Sequence, residues 1–390
     1  MSSFREIVRV VGLLFGVGFM WTACGSAEDP LVADTGVVDA AADAAPPPTD
    51  LTDAGVDARQ PQEDAALPVP FEPDLERGEL LYGVYCGFCH GADGEGYTSD
   101  NANALANPHF LASATDEFIE QATRNGRPST PMSGWAREVG GPLYDADVKH
   151  VVAYIRAWET LDPVELGGAA DGIASRGQAT YNVLCKDCHG ETGEGVTAIS
   201  LNNPWFLATA SDGFIRYAIE VGRPGTPMPG YAEQLTTTQV EDLVALIRSW
   251  QRPVGEDPFA GFEADLSNAV INPEGGEPTF ELRDDKYVSV EAVKAALDAG
   301  QRLVLLDARP AGDYARSHIT GAISLPFYEV ENFIDELPRD TWIIPYCGCP
   351  HAVSGQAHEI LAANGFDKIA VLDEGFYVWT NLGYPINAGN

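Results

Sequence analysis

Positive charge is scarce in this chain. Of 390 residues, 23 are Lys or Arg and 58 are Asp or Glu, a formal net charge of −35 at pH 7. That balance argues against nucleic acid as a partner and against adhesion to anionic lipid by charge. A basic redox partner would be steered toward such a surface, although a merely solvated acidic surface has the same composition. Long apolar runs are also missing. Residues 10–21 are almost wholly apolar, but the run is short for a membrane span. There are four methionines, and Met1 and Met20 fall in an amino-terminal targeting segment, which leaves Met132 and Met228 to be explained. Cysteine is limited to seven residues.

Four of those cysteines form two pentads, Cys86-Gly87-Phe88-Cys89-His90 and Cys185-Lys186-Asp187-Cys188-His189. The Cys-x-x-Cys-His spacing reads as covalent c-type haem attachment. The two thiols form thioethers to the haem vinyls, and the adjacent histidine reaches the iron from one face. A Pro-Met step follows each pentad, Pro131-Met132 and Pro227-Met228, and supplies a candidate ligand for the opposite face. His/Met ligation raises the potential and suits electron transfer. A zinc reading requires two pairs to share one metal and makes both Pro-Met steps accidental. A Met-ligated iron also argues against a peroxidase-type enzyme, which needs an open iron position. His109 competes with Met132 as a ligand, but its repeat partner is Trp205, which favours a loop or packing role. His150 reads as a surface or core-edge histidine.

The amino terminus suggests a compartment. Arg5 and Arg9 precede the apolar run, and Thr22-Ala23-Cys24-Gly25 follows it, the pattern of a secretory signal. Cys24 directly after small residues resembles a bacterial lipoprotein signal, which implies cleavage and lipidation there. The expected location is the periplasmic side of the bacterial cell envelope, lipid-anchored to a membrane. Residues 25–70 are rich in Ala, Asp and Pro with Arg59 as the single basic residue, and read as a disordered, self-repelling tether.

Residues 71–160 and 170–252 form an internal repeat. Each copy opens with a helical stretch leading into its pentad and continues with an acidic, Gly-rich loop. Asn107-Pro108-His109-Phe110-Leu111 matches Asn203-Pro204-Trp205-Phe206-Leu207. An amphipathic helix follows over 116–124 and over 212–220. Gly126-Arg127-Pro128-Ser129-Thr130-Pro131-Met132 matches Gly222-Arg223-Pro224-Gly225-Thr226-Pro227-Met228, and each copy closes in a helix ending at Trp158 or Trp250. This segment resembles class I cytochrome c, twice over. The resemblance implies two small all-α domains whose first and last helices cross, each binding one haem c. Cys86, Cys89, Cys185 and Cys188 would attach the haems. His90 and His189 would be proximal iron ligands, Met132 and Met228 distal ones. Arg127 and Arg223 would brace the Met loops and pair with a haem propionate.

Residues 253–283, rich in Pro and Gly, read as a connector. Over 284–388 the pattern changes to α/β alternation: a helix over 290–297, strand runs over 303–307, 341–346 and 369–372, and a helix over 352–364 stopped by Gly365. Such alternation implies a mainly parallel sheet. Asp307-Ala308-Arg309, the stretch 314–323 with Pro326, Tyr346-Cys347, and Glu374-Gly375-Phe376-Tyr377-Val378-Trp379 with Gly383 and Pro385 resemble a single rhodanese domain. The resemblance implies that Cys347 sits at a strand end, opening a loop into a helix. Backbone N–H groups and the helix dipole would stabilise its thiolate and an anionic sulfur donor there, and Cys347 would accept sulfane sulfur as a persulfide. Many such loops read Cys-x-x-Gly-x-Arg-Ser. Here the loop is Cys347-Gly348-Cys349-Pro350-His351-Ala352-Val353-Ser354, one residue longer and without the Arg. Cys349 is open to three roles: resolving a persulfide on Cys347, closing a Cys-x-Cys disulfide, or holding a polysulfide. His351 is a candidate for lowering either thiol's pKa.

The expected architecture is two all-α cytochrome c domains followed by an α/β rhodanese-like domain. The leading expectation of function is an exported dihaem electron carrier whose redox partner is a basic cytochrome or oxidase subunit. One alternative is a sulfur-compound oxidoreductase in which a small sulfur donor on the rhodanese loop feeds electrons to the haems. Another is a redox sensor with an inert rhodanese fold.

Overall fold

The computed structural model describes residues 71–99, 101–255, 259, 261, 264–348 and 351–389. The stretch expected to be a targeting segment with Cys24, the stretch expected to be an acidic tether, and Cys349 lie outside the described residues.

The first repeat is built from α1 (Leu75–Tyr85), α2 (Gly87–His90), α3 (Pro108–Ser113), α4 (Asp116–Asn125) and α5 (Asp145–Arg156). The second repeats the plan with α6 (Ala174–Leu184), α7 (Lys186–His189), α8 (Pro204–Thr209), α9 (Asp212–Val221) and α10 (Thr237–Ser249). Sequence chemistry fixes the boundaries. Asn107 and Asn203 accept the first free amides of α3 and α8, each of which starts with Pro. Thr115 and Ser211 cap α4 and α9 in the same way. The opening and closing helices of each repeat cross at a glycine. A Cβ on Gly78 would lie 2.3 Å from the His150 carbonyl oxygen, and one on Gly177 2.3 Å from that of Asp242, so only glycine allows the two backbones so close. Tyr82 and Tyr181 are buried against Trp158 and Trp250, and their hydroxyls donate to the Gly91 and Gly190 carbonyls at 2.8 Å.

The two repeats pack on each other reciprocally. Asn107 Nδ2 donates to the Pro224 carbonyl and Asn203 Nδ2 to the Pro128 carbonyl, both at 2.9 Å. Between them Phe110 and Phe118 of one copy meet Phe206 and Phe214 of the other.

The carboxy-terminal unit comprises β1 (Tyr287–Val288), α11 (Val290–Asp298), β2 (Val304–Asp307), α12 (Ala311–Arg316), β3 (His318–Ile319), β4 (Ile323–Ser324), a 3-10 segment (Phe327–Phe333), β5 (Ile343–Tyr346), α13 (Ala352–Ala363), β6 (Val371–Leu372), α14 (Gly375–Asn381) and β7 (Ile386–Asn387). Strands β4, β2 and β5 are parallel in that order. The Ile343–Ile369 bridge leads on to β6, which pairs in parallel with β1. Strands β3 and β7 form a small antiparallel pair. Alternation along β2 divides the interior: Val304 and Leu306 join a core continuous with the helical repeats, whereas Leu305 faces a second core with Ile344, Tyr346, Phe376 and Trp379. From the connector, Ile271 bridges Leu303.

This α/β unit sits against the first repeat. Tyr85, at the end of α1, meets Phe327 and Tyr328 edge-on with ring centroids 6.1 and 5.8 Å apart. Helix α13 packs on α2, and the Gly140 and Gly312 backbones touch. Among the described residues, no helix is long and apolar enough to cross a membrane.

Candidate functional site

Each pentad folds as a short helical turn directly after the opening helix, which presents the cysteines and the histidine on one small element. His90 Nδ1 lies 2.8 Å from the Asn103 carbonyl and His189 Nδ1 2.9 Å from that of Ile199. A carbonyl partner fixes Nδ1 as the protonated nitrogen and leaves Nε2 as the free donor for a metal. Burial pulls both imidazoles below their usual pKa, which keeps them in the neutral, ligating form. Burial also pushes the Cys86 and Cys185 thiols up to about 12, which keeps them neutral and unionised.

The two Met loops superimpose bond for bond. In the first, Arg127 N–H donates to the Met132 carbonyl at 2.7 Å, Thr130 Oγ1 donates to the Arg127 carbonyl, and Met132 N–H donates back to Thr130 Oγ1 at 3.3 Å. In the second, Arg223, Met228 and Thr226 make the same set at 2.9, 2.7 and 3.2 Å. Met132 and Met228 are both half-buried. Arg127 lies over Phe118 at 5.4 Å and Arg223 over Phe214 at 5.2 Å. Desolvation lowers both guanidinium pKa values to about 10, yet both stay cationic near neutrality. Among the described residues neither has a carboxylate partner; each donates to the carbonyl of the preceding glycine. A desolvated cation without an anion, a metal-ready histidine and a thioether sulfur in each repeat fit an anionic, iron-bearing macrocycle such as haem c.

The third site lies at the carboxyl end of β5. Cys347 is buried there, with its Sγ 3.1 Å from Ser354 Oγ in the first turn of α13. Its carbonyl accepts the Phe376 amide at 2.8 Å. Below it Tyr346 donates its hydroxyl to Asp307, which also pairs with the buried Arg309 at 2.6 Å. The strand end is thus held by a closed polar network. His351 starts α13 with φ +70°, its ring lies against Tyr287 with centroids 4.0 Å apart, and its Nε2 meets Asp373 Oδ1 at 2.7 Å. Its ring is therefore engaged with Asp373. The sequence marked Ser354 only as the end of a lengthened loop; its spacing of seven from Cys347 places it in the helix turn beneath the sulfur.

The structure brings the Cys347 loop to the Met132 loop; among the described residues no such contact joins it to the Met228 loop. A Cβ built on Gly348 would lie 3.5 Å from Pro131 Cα, and Tyr377 donates its hydroxyl to the Thr130 carbonyl at 2.6 Å. No sequence period announces that contact.

Comparison with known proteins agrees with this division. The family described as cytochrome C oxidase, cbb3-type, subunit III matches residues 73–155 and again 172–247. The rhodanese-like domain family matches residues 289–382. The cbb3-type cytochrome c oxidase subunit CcoP of Rubrivivax gelatinosus is 31% identical over 44% of this chain and 53% of its own length. The thiosulfate sulfurtransferase GlpE of Pseudomonas fluorescens is 36% identical over 28% of this chain and 98% of its own length. The HTH-type transcriptional regulator Rv0324 of Mycobacterium tuberculosis is 32% identical over 24% of this chain, which spans 40% of that protein. The chain thus spans about half or less of the first and third of these relatives. These matches make it a member of the rhodanese family through its carboxy-terminal domain, preceded by two cytochrome c domains of the cbb3 subunit III type.

Proposed function

We propose that this chain is an exported, lipid-tethered electron carrier that holds one haem c in each helical repeat and carries sulfane sulfur on Cys347. The observation that supports it most directly is the duplicated donor set: in both repeats a neutral histidine is fixed through Nδ1, a Met loop is closed by the same bonds, and a desolvated arginine has no carboxylate partner among the described residues. Haem c, when bound, supplies a one-electron iron couple whose potential His/Met ligation raises. The chain's own part is to attach the macrocycle through Cys86, Cys89, Cys185 and Cys188. It also orients His90 and His189, closes the Met132 and Met228 loops, and offers Arg127 and Arg223 to an anionic edge. The net charge of −35 favours a basic redox partner, and the oxidase-subunit relatives support a cytochrome or oxidase in that role. Export and anchoring rest on the sequence around Cys24.

At the third site the Cys347 thiolate attacks the outer sulfur of a donor such as thiosulfate. The donor's S–S bond breaks, sulfite leaves, and the sulfane sulfur remains as a Cys347 persulfide. Ser354 Oγ and the amino end of α13 face the resulting negative charge. Cys349, two residues on, is placed by sequence to receive or resolve that sulfur.

A second reading, in which sulfur held on Cys347 is oxidised and its electrons pass to the first repeat, is favoured by the contact between the Cys347 and Met132 loops. Both readings are tested by mixing oxidised full-length protein with thiosulfate and with polysulfide. The haem α-band is followed, and sulfur on Cys347 is read by intact mass, in wild type and Cys347→Ser. Sulfur loading without band growth supports the carrier with an adjunct sulfur site. Band growth only in wild type supports the oxidoreductase. No loading from either donor overturns the sulfur role, and a chain that binds no haem covalently overturns the carrier.

A further inference from the structure

The first Met loop carries a strain that the second does not. At matching positions the first has Ser129 at φ +69° and the second Gly225 at φ +86°. Glycine adopts this left-handed region freely, whereas serine holds it at a cost. The first loop therefore sits in a conformation its own sequence disfavours, and it is braced from outside. The brace comes from the rhodanese domain at the two residues just before Met132. Tyr377 donates to the Thr130 carbonyl at 2.6 Å, and Gly348 approaches Pro131 with only van der Waals room to spare.

The same tyrosine also lies against the sulfur site. A Cβ on Gly348 would sit 3.1 Å from Tyr377 Cε2, and the residue before Tyr377, Phe376, donates its amide to the Cys347 carbonyl. The ring is wedged between the Cys347 loop and the Met132 loop, with its hydroxyl on one and its edge on the other.

We propose that Tyr377 is a positioning residue for Met132, linking the rhodanese loop to the axial-ligand loop of the first repeat and leaving that of the second untouched. The proposal rests on reading Met132 and Met228 as axial ligands. Each Met loop must open for an external ligand to reach the iron from that side. Removing one neutral hydrogen bond from the closed form raises the open population about fivefold.

The test is cyanide binding to the oxidised, haem-loaded full chain, followed together with the near-infrared Met–iron(III) absorption. The variants are Tyr377→Phe, Gly348→Ala, Met132→Ala and Met228→Ala. Met132→Ala and Met228→Ala assign the two kinetic phases, and each removes part of the near-infrared band. In Tyr377→Phe the phase assigned to Met132 should accelerate about fivefold, while the Met228 phase stays at its wild-type rate. Gly348→Ala, which pushes on the ring from the other side, should move the same phase. Near-ultraviolet circular dichroism and the denaturant midpoint report whether the rhodanese domain is still folded. Equal acceleration of both phases, or no change in either with the domain folded, overturns the proposal. An undiminished near-infrared band in Met132→Ala overturns the ligand reading itself, and is distinguishable because it does not involve Tyr377.

Discussion

The two cytochrome c repeats share a scaffold and differ in what touches it. In the first, the opening helix is pinned by an imidazole: the Asp74 amide donates to His150 Nδ1 at 2.9 Å. In the second, the equivalent Ile173 amide donates to the Asp242 carboxylate at 2.7 Å, and Arg176 closes on the same carboxylate. The ends of the opening helices differ as well. Tyr85 is buried under Phe327 and Tyr328, whereas the matching Leu184 is only half-buried; one residue back, Val84 is half-buried and its counterpart Val183 is 77% exposed. One repeat has become an internal domain with neighbours beside its pentad, and its twin keeps a more open edge there. Matching motifs thus specify a common scaffold, and the residues between the motifs decide how each copy is connected.

The largest break in symmetry should come at that covered edge. Tyr85→Ala should destabilise the chain by about 3–5 kcal/mol in denaturant unfolding, as for a large buried aromatic. Leu184→Ala, at the matching half-buried position, should cost roughly 1 kcal/mol. Equal losses would mean that the rhodanese domain adds nothing to the first repeat. A smaller effect sits in the Met loops. Ser129→Gly should stabilise the first repeat by about 1 kcal/mol, and Gly225→Ser should weaken the second by a similar amount, both read as shifts of the unfolding midpoint.

The smallest effect is one of slope. Burial holds the His150 pKa below its ordinary value. Its contribution to stability is therefore complete above the unfolded histidine pKa of about 6.5 and is lost as the pH falls through the lower folded value. The Asp242 carboxyl is lowered chiefly by the Arg176 hydrogen bond and then by the Ile173 amide. Its contribution persists until the pH drops below the carboxylate range. The amide protection factors, exchange rates corrected for the intrinsic rate at each pH, should therefore fall in α1 before α6 between about pH 7 and pH 5. His150→Asp, which copies the second repeat, should remove the difference; unchanged α1 protection across that range would refute it.

Much of this was legible from residue types because geometry demands them. The repeat over 71–160 and 170–252 marks two like helical units, and the apolar runs ending at Asp307 and Tyr346 mark strands of a parallel sheet; the glycine crossings and asparagine caps emerge only from the fold. The Cys-x-x-Cys-His spacing and the residues around Cys347 point to the cytochrome c and rhodanese families for the same reason. What could not be read is how the units meet. Tyr377 and Thr130 are 247 residues apart, and a contact between two folded surfaces leaves no period in either segment. His150 looked like an edge histidine because nothing local shows that its ring holds the amide of Asp74. Ser354 looked like spacing because its proximity to Cys347 depends on the helix turn that follows the loop.

Asn107 and Asn203 carry a consequence of another kind. Each amide starts a helix in its own repeat and at the same time holds a proline carbonyl in the Met loop of the other. A duplicated gene begins with two self-sufficient copies, either of which can be discarded. Once each copy has handed part of the support of its Met loop to its sibling, deletion of one weakens the other. The cross-caps act as an evolutionary ratchet: the pair can diverge at its edges, as the covered and open faces show, but it can no longer return to a single domain.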